Sequence, residues 1–327
     1  MNPQQYKTLL VVALLVIGLA VAAQTSTNRI RARTVAKEPL PGAYDSSVPK
    51  PTFSDVHYGS HVRNVLDFWQ ANSDKPTPWV FVIHGGGWTS HSKERVKTFV
   101  EVPDLLNAGI SVVAINYRYT RMAKAAGVEP AVKAPMDDCA RALQFVRSKA
   151  KEWNLDEQRV GAAGGSAGAC SGLWLAFHDD MANPKSDDPI ARESTRLYCA
   201  AVKYPQTSLD PQQMKEWTPN SNYGAHAFGL GSFDEMLARR DMILPWIKEY
   251  SPYELVNAGD PPVYLFYPAP PAVGKEEKDP THTANFGVKL QLRCISNNVP
   301  CELVYPGAPN VKHATPTEYL IDVLKAK

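Results

Sequence analysis

The sequence predicts an α/β fold, a mostly parallel central sheet with helices on both faces and a small cap segment, on three observations. Short apolar, β-branched runs alternate with longer stretches of helical period, as when strands cross over through helices. One run, residues 79–84, is apolar almost throughout, which suits a strand buried on both faces. Another short apolar run, residues 159–163, leads directly into Gly164-Gly165-Ser166-Ala167-Gly168 and then into a helical stretch.

From the N-terminus, Lys7 precedes an uninterrupted apolar run over residues 9–23 that ends in small residues. Fifteen residues fall short of the about 20 needed to cross a bilayer, and Ala20-Val21-Ala22 supplies a small-x-small cleavage pattern. Residues 1–23 are therefore expected to be a signal peptide, and the protein to be secreted or periplasmic. An uncleaved anchor is the alternative; stable membrane anchoring is not expected. Residues 24–50 mix Arg29, Arg31, Arg33 and Lys37 with Pro39, Pro41 and Pro49, and read as a surface linker. The basic residues are few and no aromatics interleave with them, which argues against a nucleic-acid arm. Residues 51–327 are enough for one large α/β domain. The 35 Lys and Arg against 33 Asp and Glu are too balanced to steer the chain to a polyanion.

Strands are expected at residues 64–69, 79–84, 111–117, 159–163, 198–203, 262–267 and 301–305. Helices are expected at 134–153, 169–178, 284–296 and 315–325. In the first helix Cys139, Leu143, Val146 and Ala150 fall on one face. The segment of about 205–250 fits no sheet element, is rich in Pro, Asn and aromatics, and is expected to cap the site. Trp217, Tyr223, His226, Phe228 and Trp246 are its candidate pocket-lining residues. Five cysteines leave two readings open: a bridge between Cys294 and Cys301, which bracket a short turn, or five buried thiols. No Cys or His cluster has metal-ligand spacing, so no metal is expected.

The chemistry is carried by two glycine motifs. A Gly-x-Ser-x-Gly between strand and helix forces a turn so tight that a side chain at Gly164 or Gly168 would collide with its neighbours. Ser166 would be lifted clear of the sheet at a helix N-terminus, where the peptide dipole favours developing negative charge. Attack by its hydroxyl on an ester carbonyl creates an oxyanion, and each preorganised donor toward it is worth about 3 kcal/mol. His84-Gly85-Gly86-Gly87-Trp88, at the end of the 79–84 strand, is the second motif. The backbones of Gly86 and Gly87, with the N–H of Ala167, are the assigned donors.

A serine needs a histidine to take its proton and a carboxylate to hold that histidine in the right tautomer. Among eight histidines His313 is favoured, because it lies between the last strand and the last helix; His282, on the preceding strand-to-helix connection, is its competitor. Asp279 is the assigned acid, in the chain order Ser, Asp, His. Asp260 is the alternative, although Asp-Pro before a strand is also a turn signal. Glu276 and Glu277 read as solvated charges.

Together with Ser251-Pro252 and Asp260-Pro261-Pro262, these motifs resemble the α/β-hydrolase superfamily. Within it they are most similar to hormone-sensitive-lipase-like carboxylesterases and the bifunctional feruloyl and acetyl-xylan esterases, over about residues 51–327. The resemblance implies hydrolysis of short-acyl esters by Ser166, Asp279 and His313 without a cofactor. Its expected partner is a small-molecule ester or acylated polysaccharide, not nucleic acid. A peptidase of the same fold and a non-catalytic binding protein are the competing classes. Two departures stand out. Tyr267-Pro268-Ala269-Pro270 and a charged stretch separate the acid strand from Asp279, and the loop at 307–313 is longer than the family's compact form.

Overall fold

A computed structural model describes residues 42–326. The expected signal peptide, and the linker up to residue 41, lie outside the described residues. Eight strands, β1 (Phe53–His57), β2 (Val65–Trp69), β3 (Thr77–Ile83), β4 (Ser111–Ile115), β5 (Leu155–Gly165), β6 (Cys199–Lys203), β7 (Val263–Phe266) and β8 (Cys301–Val304), form one sheet. Their order is β1-β2-β4-β3-β5-β6-β7-β8. β2 pairs antiparallel with β1 and β4, and every other pairing is parallel. The expected strands thus form, joined by the additional edge strand β1. Its residues are mostly exposed and its pairing with β2 is interrupted at Asp55, which takes φ 53°, so it carries no burial pattern that a sequence could reveal.

Among the described residues ten α-helices accompany the sheet: α1 (Val102–Asn107), α2 (Thr120–Ala125), α3 (Lys133–Ser148), α4 (Ala167–Phe177), α5 (Pro211–Trp217), α6 (Phe233–Ala238), α7 (Arg240–Tyr250), α8 (Pro252–Leu255), α9 (Asn285–Ser296) and α10 (Pro316–Lys325). The period of two in β3 divides the core. Trp79, Phe81 and Ile83 face a layer that includes Cys139, Leu143 and Val146 of α3, Leu173 and Trp174 of α4, and Phe286 and Leu290 of α9. Val80 and Val82 face the other way, with Val102 and Leu105 of α1 and Leu320 and Leu324 of α10. Because both faces are covered, the central strands are apolar at consecutive positions.

Residues 44–50 do not form a free arm. Tyr44 donates its hydroxyl to Asp67, Trp69 Nε1 donates to the Pro49 carbonyl at 2.7 Å, and Val48 is buried. Lys93 closes the same corner, its buried ammonium within 3.0 Å of Asp55 and Asp67 and 2.9 Å of Glu94. A buried cation requires such carboxylates, and here they tie the β1 edge to the segment after β3. All five cysteines are free thiols, and the neighbouring Cys294, together with burial, pushes the Cys301 thiol pKa up. No helix among the described residues is long and apolar enough to cross a membrane.

Candidate active site

The parallel strands end together at Ile83, Gly165, Lys203 and Phe266, and the candidate site is built on that edge. β5 passes into α4 through Ser166, held at φ 53° and ψ −121°, a backbone conformation that non-glycine residues rarely adopt. Its N–H donates to the Lys203 carbonyl at 3.0 Å. The two motif glycines are sterically required: a Cβ on Gly164 would lie 2.5 Å from the Ile83 carbonyl oxygen, and one on Gly168 only 2.1 Å from it.

The triglycine loop after β3 faces this turn. A Cβ on Gly85 would come within 3.5 Å of the Ser166 Cβ, and Gly86 and Gly87 take φ of 95° and 62°. The Gly86 carbonyl accepts the N–H groups of Thr89 and Ser90 at 3.0 and 3.1 Å, which turns the loop back on itself. From the cap segment His226 Nε2–H donates to the Gly87 carbonyl at 2.8 Å, and a Cβ on Gly87 would strike the Tyr223 hydroxyl. Burial holds the His226 imidazole below its usual pKa, which keeps it neutral in this role. Underneath, His84 is fully buried, its pKa pushed down to about 3 by burial and, secondarily, by the Arg63 charge. Its Nδ1–H donates to the Gly85 carbonyl at 2.7 Å, and its ring stacks on Tyr117 at 4.1 Å. His84 is therefore a neutral prop beneath the loop.

The structure brings His282, not His313, to the serine. His282 Nε2 lies 2.9 Å from Ser166 Oγ, and His282 Nδ1 lies 2.9 Å from Asp279 Oδ2. With Nδ1–H donating to the carboxylate, Nε2 is left to accept the serine proton. Asp279 is brought in as expected, three residues before its histidine. Its Oδ1 accepts the N–H groups of Thr281 and His282 at 3.2 and 3.3 Å, so one turn presents both groups. Partial burial raises the pKa of this carboxyl, but the bond and charge of His282 and the two N–H groups outweigh that and hold it below the ordinary range.

The long connection from β7 to that turn is anchored by amides. Buried Asn285 accepts the Ala272 N–H at 2.7 Å and donates to the Trp217 carbonyl at 2.9 Å. Asn220 exchanges hydrogen bonds with the Glu277 backbone, and Gln206 Nε2 donates to the Thr281 carbonyl at 3.0 Å. Glu277 is only half-buried and accepts from Thr283, so it is engaged rather than freely solvated. Asp260, the alternative acid, accepts the Asn257 N–H and closes a turn ahead of β7.

His313 does lie between β8 and α10, but its loop folds back along the edge strand. Glu302 accepts the N–H groups of Lys312 and His313, each at 2.9 Å, and the two ring nitrogens of His313 meet Glu302 at 2.8 Å and Asp322 at 3.2 Å. His313 consequently shares a cleft with Pro262, Val263 and Cys301, the residues at the starts of β7 and β8, at the opposite edge of the sheet from Ser166. Burial lowers the His313 pKa, but its two carboxylate partners raise it further, and the same pairing lowers that of Glu302. The histidine's contribution to stability is thus complete below its unfolded pKa and disappears as pH rises through its raised folded value. The Glu302 contribution is present above its own unfolded pKa and is lost as pH falls through the depressed value. Thermal melts of wild type and His313→Ala are expected to differ most between those two limits, by on the order of 2 °C, and to converge at alkaline pH.

Of the five cap residues expected in the pocket, only Tyr223 lines the cleft. Trp217 packs on Tyr253 and Phe286, and Phe228 on Trp246, within the core. The cleft has a volume of about 420 Å³ and contains Ser166, His282, the triglycine loop and Tyr204.

A strained serine turn on the C-terminal edge of this sheet, facing a glycine loop from the preceding strand end, makes the protein an α/β-hydrolase. Known proteins agree at the level of fold. Residues 66–269 match the BD-FAE family model, and the chain belongs to that family of hormone-sensitive-lipase-like esterases. The fold is similar to that of the acetyl ester-xyloside bifunctional hydrolase of Caldicellulosiruptor lactoaceticus, with 24% identity over 74% of this chain and 77% of that one and a TM-score of 0.55. A truncated carbohydrate esterase from gut microbiota is similar at 18% identity, over 81% and 90% of the two chains, with a TM-score of 0.60. The Thermogutta terrifontis esterase Est2 is similar at 22% identity, over 83% and 85%, with a TM-score of 0.56. A stretch of 113 residues is 29% identical to endo-1,4-beta-xylanase B of Butyrivibrio fibrisolvens, covering 33% of this chain and only 16% of the xylanase.

Proposed function

We propose that the protein is an exported serine carboxylesterase that removes short acyl groups, acetyl or feruloyl, from polysaccharide through an acyl-enzyme on Ser166. The hydrogen-bond chain Ser166–His282–Asp279 carries this reading. Ser166 Oγ attacks the carbonyl carbon while His282 Nε2 takes the hydroxyl proton, and the carbonyl π electrons move onto oxygen. The N–H groups of Gly86, Gly87 and Ala167 receive that oxyanion. As it collapses, the bond to the alcohol oxygen breaks and His282 returns the proton to the leaving alkoxide. Water then repeats the sequence on the acyl-enzyme: His282 takes its proton, the tetrahedral species expels Ser166, and the free acid departs. Asp279 fixes the imidazole tautomer and stabilises the transient imidazolium.

The carbohydrate side of the proposal draws on the names of similar proteins, an acetyl ester-xyloside hydrolase, a carbohydrate esterase and a xylanase. Export draws on the N-terminal apolar run. The Thermogutta esterase has been captured phosphorylated by paraoxon, which suggests a direct probe. Incubation of the purified protein with paraoxon is expected to add one diethylphosphoryl group, located by peptide mass spectrometry on Ser166, and to abolish release of acetate from acetylated xylan. An adduct elsewhere, or undiminished hydrolysis by Ser166→Ala, would sink the mechanism.

A further inference from the structure

The cleft is electrostatically one-sided. It contains Arg95 but no Asp or Glu among its lining residues. Arg95 has no carboxylate within ion-pair distance among the described residues; its one side-chain hydrogen bond is from Nη1 to His91 Nδ1, at 3.2 Å. A guanidinium carries five N–H donors, and those of the exposed Arg95 that His91 does not take meet no acceptor among the described residues and face solvent. Arg121, whose Nη1 donates to the carbonyl of the cleft residue Thr89 at 2.7 Å, likewise has no carboxylate partner among the described residues. Several arginines elsewhere pair with acids, Arg118 with Asp138, Arg159 with Asp156 and Arg240 with Asp210, whereas Arg147 and Arg192 bond to backbone carbonyls. Among the residues that line the cleft Arg95 is the one Arg or Lys, and no Asp or Glu of that lining offsets it.

Arg95, exposed at the cleft, is oriented by His91. His91, its hydrogen-bond acceptor, takes φ 71°, and its carbonyl accepts from Arg63 Nη2 at 3.1 Å and Tyr119 Oη at 2.5 Å. The ring in turn abuts Gly86, where a Cβ would lie 2.6 Å from His91 Cδ2. Burial and the neighbouring Arg95 charge both hold His91 below its ordinary pKa, so it stays a neutral acceptor at physiological pH. The guanidinium is thereby coupled, through one imidazole, to the loop that faces Ser166.

We propose that Arg95 is the counter-ion for a carboxylate on the substrate, so that the esters this site prefers are anionic. The charge could reside on the alcohol portion, as in an acylated uronic acid, or on the acid portion, as in an acyl chain ending in a carboxylate. Either would gain a charge-assisted hydrogen bond in a cleft whose own lining holds no Asp or Glu, the nearby Asp279 carboxylate being paired with His282. The inference rests on the esterase reading and names a substrate class for it.

Two matched substrate pairs test it. p-Nitrophenyl acetate and mono-p-nitrophenyl succinate vary the charge on the acid portion; acetylated methyl glucoside and acetylated methyl glucuronide vary it on the alcohol. For one pair, Arg95→Gln is expected to lower the ratio of kcat/KM for the anionic over the neutral ester about tenfold, mainly through KM. Added salt should erode that ratio in wild type and much less in the variant. The pair that responds identifies which portion carries the charge. Ratios unmoved in both pairs, with hydrolysis intact, overturn this inference alone. Failure of the wild type to hydrolyse any of the four overturns the esterase reading as well.

Discussion

His282→Ala is expected to lower kcat on p-nitrophenyl acetate by about 10⁴- to 10⁶-fold, while His313→Ala leaves it within about twofold of wild type. Only one of these imidazoles can receive the serine proton. That of His282 is 2.9 Å from Ser166 Oγ, and without it the hydroxyl must lose its proton to water. His313 is engaged through both ring nitrogens by Glu302 and Asp322 at the opposite edge of the sheet, so its loss removes an ion-pair cluster and no reacting atom. Asp279→Asn should fall between the two, because an amide can hold the imidazole in the wrong tautomer but leaves it beside the serine. Circular dichroism and thermal melts on each variant separate loss of chemistry from loss of fold. A His313 variant as inactive as the His282 variant would reverse the assignment.

The reason His313 is favoured by the sequence, and His282 found in the structure, is instructive. Position along the chain selects a histidine after the last strand, but it says nothing about which way the loop runs. Here Glu302 captures the backbone of residues 312 and 313 and draws the loop back along β8, an interaction between residues ten and eleven apart that no local pattern announces. The histidine actually brought to Ser166 has a local signature. In Asp279-Pro280-Thr281-His282 the carboxylate folds onto the N–H groups two and three residues later, so the acid and base come out of one turn already paired. Of the amides that support this turn, Asn220 and Gln206 lie far from it in sequence, and Asn285, three residues after His282, acts through distant partners, Ala272 and Trp217, that no local pattern reveals.

Elements whose burial is dictated on both faces were legible. β3 and the second half of β5, from Val160, are apolar because layers of helices cover them, and the serine turn is marked by glycines that nothing else could replace. Elements whose burial depends on distant partners were not. β1 is exposed and short, and residues 44–50 look like a linker although Lys93, Asp67 and Trp69 hold them to the domain. The cap aromatics are similar: the composition that suggests a pocket lining equally suits a core, and burial of Trp217 against Tyr253 and Phe286 decided for the core.

The turn's steric demand gives the second large effect. Gly168→Ala is expected to lower the melting temperature by about 10 °C or to prevent soluble expression, whereas Gly172→Ala, one helical turn later on α4, should raise it by about 2 °C. The substitution is chemically identical, and the difference lies in what the new methyl meets. At Gly168 it would lie 2.1 Å from the Ile83 carbonyl oxygen and 2.6 Å from that of His84, both backbone atoms fixed in β3 and its continuation. Neither can rotate away, so α4 would have to lift off the sheet, opening a layer of close-packed side chains and losing their dispersion contacts. A loss of about 4 kcal/mol or more is the size such forced separation produces. At Gly172 the nearest atoms are Ala162 Cβ and Val202 Cγ1 at 3.6 Å, an ordinary contact distance, so the methyl fills space without displacing anything. There the reduced entropy of the unfolded chain and the better helix propensity of alanine remain, together about 1 kcal/mol. If both variants melted like wild type, the close approach of α4 to β3, and with it the geometry that lifts Ser166 into the cleft, would be wrong.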